Sequence, residues 1–125
     1  MKSQPENLGL NLVVIRARDA IGLARFYSLL GLEFAEEKHG RGPVHFACDL
    51  GGFVFEIYPR SDSQPDTSAT RVGFQVPSLS AAMKALSALT GSRVLRQPES
   101  TKWGRRAVIV DPEGHRVELL ERTLV

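Results

Sequence analysis

Two glutamates close two copies of one phrase. Asp49-x-x-Gly52-x-x-x-Glu56 returns as Asp111-x-x-Gly114-x-x-x-Glu118, with every matched position displaced by the same interval. A helical pattern lies upstream of each copy, over residues 19–30 and 78–89. Such self-similarity marks one structural unit used twice. An internal two-fold places equivalent side chains opposite each other, so Glu56 and Glu118 are the first candidates for chemistry. Two carboxylates in proximity split their pKa values and suit acid–base work. The plainer alternative is a pair of solvated strand-end residues, against which stand the Phe, Ile, Val and Leu neighbours of both.

Other chemistry-bearing residues carry less. His39 lies in the turn His39-Gly40-Arg41-Gly42-Pro43, and His115 follows a turn glycine on the opposite face from Glu118. His45 shares a strand with Phe46 and Cys48 and is the one histidine to watch as a stray ligand or base. Cys48 has no activating neighbour and reads as a small core residue. Trp103, the single tryptophan, sits in a loop, where it can stack on a planar or cationic ligand or else seal a barrel end or a dimer contact. The chain has no His-Glu-x-x-His, no phosphate-cradling glycine loop and no nucleophile elbow.

The elements that must position these residues follow from periodicity. Residues 10–17 form an apolar strand, Asp19 is an N-cap, and Ile21, Leu23, Ala24, Phe26, Tyr27 and Leu30 recur at helical spacing before Gly31. Strands are expected over residues 32–37, 44–50 and 53–58, the last two joined by Asp49-Leu50-Gly51-Gly52. Residues 59–69 read as a linker. The second unit repeats the order: a strand over 70–76, a Ser78-capped helix ended by Thr90-Gly91, a short strand over 94–96, a loop over 97–104, and a hairpin of 105–110 and 115–121 around Asp111-Pro112-Glu113-Gly114. One domain spanning residues 1–125 is expected, with units at 8–59 and 70–122.

Bulk properties exclude several classes. The net charge is only +2 and the basic residues are scattered, which points away from nucleic acid. A single cysteine forbids an intrachain disulfide and suits a reducing compartment. The first seven residues are polar and no apolar run approaches the roughly 18 residues of a membrane span, so a cytoplasmic protein without a membrane partner is expected.

Asp19 leading to Phe26-Tyr27-x-x-Leu30-Gly31-Leu32, then Phe55-Glu56-Ile57-Tyr58-Pro59, Trp103-Gly104 and Asp111-Pro112-Glu113-Gly114-His115-Arg116-Val117-Glu118-Leu119 are spread over nearly the whole chain. In this order they resemble the vicinal oxygen chelate superfamily, which includes glyoxalase I, extradiol dioxygenases and bleomycin-resistance proteins. The resemblance implies an α+β fold of two tandem β-α-β-β-β units forming a curved mixed sheet around a cavity. In metal-dependent members a His or Gln on the first strand of each unit and a Glu on the last hold one divalent ion. The Glu positions match Glu56 and Glu118, but the first-strand positions fall on Leu12 and Arg71. Leucine has no donor atom and arginine is permanently cationic. The expectation is therefore a degenerate metal site with no cofactor, in which Arg71 replaces the ion and pairs with Glu118, Glu56 or both.

By strand alternation Val54 and Tyr58 accompany Glu56, and Arg116 and Leu120 accompany Glu118. The expected ligand-binding residues are Glu56, Glu118, Arg71, Trp103, Arg16 and Tyr58, with Gln75 and Arg116 behind them. The leading functional reading is a small-molecule binder that sequesters an antibiotic or similar ligand. The alternative is a metal-dependent lyase of the glyoxalase I type or a dioxygenase acting on vicinal oxygens. It would use Zn, Ni, Fe or Mn on Glu56 and Glu118, helped by His45 or by a second chain. Half-barrel edges need covering, so a homodimer is expected.

Overall fold

Strand β1 (Leu12–Ala17) gives way to helix α1 (Ala20–Ser28) at Asp19, whose carboxylate accepts the Gly22 N–H at 2.9 Å. That bond satisfies one of the donors a helix start leaves unpaired. Gly31 just beyond the helix takes φ +101°, a conformation that costs glycine little. The computed structural model describes residues 4–89 and 93–123. The first unit continues with β2 (Ala35–Glu37), β3 (His45–Asp49) and β4 (Val54–Pro59). The second contains β5 (Arg71–Gln75), α2 (Leu79–Leu86), β6 (Arg93–Thr101), β7 (Gly104–Val110) and β8 (Arg116–Arg122). Ser78 caps α2 through the Ala81 N–H, as its sequence position predicts.

Each unit is one mixed four-stranded sheet, ordered β1-β4-β3-β2 and β5-β8-β7-β6. The outer pairs β1–β4 and β5–β8 are parallel and the rest antiparallel. The duplication legible in the sequence is thus a duplication of topology. Among the described residues the two sheets share no ladder of hydrogen bonds, and neither closes into a barrel. Helix α1 packs on β1, β3 and β4, and α2 on β7 and β8.

The core is one buried cluster drawing on both units, from Ile15, Phe26, Tyr27, Phe55 and Ile57 to Leu79, Ile109, Val117 and Leu119. Phe55 of β4 meets Phe74 of β5 edge to face at 5.4 Å, and Tyr27 touches both rings. Edge-on aromatic pairs add about 0.5–1.5 kcal/mol beyond area burial. Phe55 and Ile57 lie under the helices, which leaves Val54, Glu56 and Tyr58 on the opposite face, as alternation requires.

One stretch departs from the sequence reading. Residues 97–101, expected as loop, belong to β6, which runs on to Thr101. Register shifts between Val94 and Arg96 and between Arg96 and Glu99 break its pairing with β7. Pro98 is tolerated because β6 is an edge strand, and bulges plus proline erase the period-2 signal. The expected helix end at Thr90-Gly91 lies outside the described residues. Among those described, no helix is long and apolar enough to cross a membrane.

Candidate functional site

The face of the first sheet turned away from α1 carries Glu56 at its centre. Register sets its neighbours: Val14 on β1 and Ala47 on β3 lie opposite Glu56, and Glu37 on β2 lies opposite His45. Glu56 lines a cavity of about 650 Å³ together with Glu37, Ala35, Ala47, Asp49 and Val54. Arg16, Tyr58, His45 and His39 form a stacked row on this face. The Arg16 guanidinium lies 5.6 Å from the Tyr58 ring, Tyr58 stacks on His45 at 4.1 Å and 8°, and His39 follows at 5.1 Å. Glu56, Arg16 and Tyr58, three residues the sequence singled out, are therefore brought to one face.

The second sheet presents a different chemistry. Glu118 lies opposite Gly73 on β5 and Val108 on β7. Gly73 offers it no side chain, and Arg71, two residues earlier, stands opposite Arg116 instead. The partner of Glu118 is Arg106 of β7, which donates through Nε to Oε1. The expected pairing of Arg71 with Glu118 or Glu56 is thus replaced by Arg106–Glu118, because register carries the β7 guanidinium across the ladder. Arg71, Arg96, Arg106 and Arg116 line a cavity of about 510 Å³ with Leu95 and Val108. Among the described residues Arg71, Arg96 and Arg116 make no ion pair. No residue is common to this cavity and the one lined by Glu56. The two glutamates, expected to confront each other, are placed apart: Glu56 lines the first cavity, and Glu118 is paired with Arg106, which lines the second.

Trp103 sits at neither. It occupies the tight turn between β6 and β7, 57% exposed, with the Lys102 ammonium 4.7 Å from its ring. The following Gly104 adopts φ +141°, and a Cβ there would collide with the Glu121 backbone carbonyl.

The histidines divide sharply. His115 is buried with both ring nitrogens engaged, Nδ1 with Asp111 at 2.9 Å and Nε2 with the Thr67 hydroxyl at 2.8 Å. Asp111 also accepts the Tyr27 hydroxyl at 2.6 Å and the backbone N–H groups of Glu113 and His115. Burial raises the Tyr27 pKa, and the nearby Asp111 carboxylate raises it further. This buried network joins the units and is structural. Asp49, its counterpart in the first copy, is exposed and accepts only the Gly52 N–H. Burial likewise raises the Cys48 thiol pKa, in keeping with a core role.

His45 differs. Its ring is 1% exposed, yet Nε2 has no hydrogen-bond partner. Glu37 and His39 complete a group whose ligand atoms all lie within 4.8 Å of one another. Of these three, the sequence points only to His45; Glu37 carries no local signal of its own, and His39 lies in a glycine-rich turn. The available signal is the combination of an acid closing one strand and a histidine opening the next across that turn.

The four positions that the sequence resemblance assigns to a metal do not fit an ion here. Leu12 has no donor, Arg71 is a cation facing Arg116, and Arg106 already occupies Glu118.

Comparisons with known proteins agree with this architecture. TnmS3, an antibiotic binding protein from Streptomyces sp. CB03234, superposes with a TM-score of 0.73 at 19% identity, covering 96% of this chain and 100% of its own. A glyoxalase/bleomycin resistance protein/dioxygenase family enzyme from Burkholderia phytofirmans PsJN gives 0.70 at 21% identity, covering 93% and 100%. The oxidase ChaP-H2 gives 0.74 at 21% identity, covering 94% and 95%. No curated protein sequence matches. These likenesses establish the fold, while the sequence pattern of one family matches residues 9–119. The chain belongs to the Glyoxalase/Bleomycin resistance protein/Dioxygenase superfamily.

Proposed function

We propose that this protein binds and sequesters a small molecule bearing an anionic group, with the arginine-lined face of the second sheet as its anchor. The observation that carries this reading is the set of guanidiniums around one cavity, three of them without an ion-pair partner among the described residues. A planar guanidinium grips a carboxylate or phosphate with two parallel hydrogen bonds. The antibiotic-binding character of TnmS3 supports a sequestering role. Arg71 is an anion contact and Glu118 sets the position of Arg106. Glu56, Tyr58 and Arg16 form a second lining on the first sheet, and Trp103 is an outer contact for ligand or partner.

A homodimer accompanies this reading. Strand β1 is a sheet edge, bonded at Arg16 to the Thr67 hydroxyl, and Leu10 just before it and Leu12 and Val14 within it are 73%, 47% and 37% exposed. Exposed apolar edges call for a cover. A partner would bring a second sheet face to each cavity, within a single domain per chain. The buried free thiol of Cys48 suits a reducing, cytoplasmic setting.

Calorimetric titration with a panel of carboxylated and phosphorylated aromatic compounds and their neutral analogues tests the function. Binding of the acids alone, lost in Arg71→Ala and Arg116→Ala, is the expected result. Equal binding of neutral analogues would refute it. The second reading, a metal-dependent lyase or dioxygenase, draws its support from the Glu37–His39–His45 group rather than from the family's metal positions.

A further inference from the structure

We propose that Glu37, His39 and His45 form a binding site for a late first-row divalent cation, Zn²⁺ being the best match. The site sits at the β2–β3 hairpin, outside the arginine cavity, and its three ligands Glu37, His39 and His45 are none of the family's metal positions, although one of those, Glu56, lies beside it with Oε2 3.6 Å from His45 Nε2. It stands or falls independently of the ligand proposed for that cavity.

The argument starts with the His45 ring. Its Nδ1 lies 3.2 Å from the Pro43 carbonyl, which can only accept, so Nδ1 carries the hydrogen. In the neutral ring Nε2 then presents a bare lone pair. That atom is buried without a hydrogen-bond partner, and it lies 3.3 Å from Glu37 Oε1 and 3.6 Å from Glu56 Oε2. Three electron-rich atoms converge with no donor among them. A buried polar atom left unpaired costs about 1–3 kcal/mol, which a cation on Nε2, a proton or a metal ion, relieves, and the second histidine beside Glu37 supplies the further donor that a metal ion needs.

The spacing suits a small first-row cation. His39 Nε2 lies 3.5 Å from the same Glu37 oxygen. Zinc binds nitrogen and carboxylate oxygen at about 2.0–2.2 Å, which in a tetrahedron separates neighbouring donors by roughly 3.3–3.6 Å. The two histidine–Glu37 separations, 3.3 Å and 3.5 Å, fall inside that window, and the two histidine donors lie within 4.8 Å of each other, close enough to converge on one ion with a small side-chain adjustment. Two imidazoles and one carboxylate favour zinc or its neighbours over calcium or magnesium, which prefer all-oxygen shells. Three protein donors leave one position of a tetrahedron open, and Glu56 adds negative charge beside it.

The surroundings hold the donors in place. A metal-binding histidine commonly donates its second ring N–H to a carbonyl, as His45 does to Pro43. Tyr58 stacks flat on the same ring and fixes its plane. Glu37 and His45 are cross-strand partners, so the ladder sets their separation. His39 reaches them from the connecting turn, where Gly40 takes φ +57° and the Gly42 N–H bonds the His39 carbonyl at 2.9 Å. His115, by contrast, has both nitrogens satisfied and faces no such gathering.

The test uses the full-length, tag-free chain stripped of metal with a chelator and titrated with Zn²⁺ against a competing chelator. One Zn²⁺ per chain is expected, with His39→Ala and Glu37→Gln each weakening binding at least about tenfold. His39 is 71% exposed, so its variant keeps the wild-type circular dichroism and metal-free melting temperature. Titration with Co²⁺ should give the visible absorption of a four-coordinate ion and lose it in His39→Ala. Failure of the wild type to bind one Zn²⁺, or binding unchanged in both variants, would overturn the site.

Discussion

Tyr27 and Asp111 lie 84 positions apart in sequence and meet through a buried 2.6 Å hydrogen bond between the two units. The tyrosine comes from the helix of the first copy and the aspartate from the turn of the second. Removing the hydroxyl in Tyr27→Phe keeps the ring in the aromatic core and deletes one bond to a carboxylate. A loss of about 1.5–3 kcal/mol is expected, read as a lower urea midpoint at unchanged slope.

The same residue predicts a response to alkali. Folding raises the Tyr27 pKa, so the folded chain holds this proton where the unfolded chain releases it. The resulting stability is complete below the ordinary tyrosine pKa of about 10 and is lost as pH rises above it. Urea midpoints at about pH 8 and about pH 10.5 should fall more steeply for the wild type than for Tyr27→Phe. Parallel declines would show that Tyr27 does not titrate differently on unfolding.

The two copies of the repeated phrase should differ in weight. Asp111→Ala strips partners from Tyr27, His115 and two backbone N–H groups inside the core, and a loss of about 3–5 kcal/mol is expected. Asp49→Ala removes a single exposed turn contact and should cost about 0.5–1 kcal/mol. Equal losses in thermal or urea melts would contradict the asymmetry.

Arg71 separates binding from stability. It is exposed and unpaired among the described residues, so Arg71→Ala should change stability by less than about 0.5 kcal/mol. Affinity for an anionic ligand should drop about tenfold or more, with a weaker dependence on salt than in the wild type. A variant that melts early while binding normally would reverse the assignment.

The β1 edge gives a prediction on assembly. Sedimentation of the wild type should show a dimer, and Leu12→Asp should shift it to monomer by placing a charge on the exposed apolar edge. A monomeric wild type would remove the proposed cover.

Much of the fold was legible because its signals are local. Asp19 and Ser78 cap helices through bonds that span three residues. The alternation of Phe55, Glu56 and Ile57 is a property of any strand with one covered face. The duplicated phrase named Glu56 and Glu118 without reference to anything distant. Where locality failed, so did the reading: bulges and Pro98 hid the length of β6.

The sites depended on what no short window contains. Ladder register set Gly73 opposite Glu118 and left Arg106, not Arg71, to hold it. Register also placed Glu37 across from His45 and left that buried nitrogen without a hydrogen-bond partner. The docking of the two units decided that one repeated aspartate would be buried against Tyr27 and the other left in water. The sequence by itself determined the elements, their order and their inward faces, because caps and periodicity act over a few residues. Tertiary structure alone decided which side chains meet, because a slip of one residue in a ladder turns every side chain to the other face while leaving the local pattern unchanged.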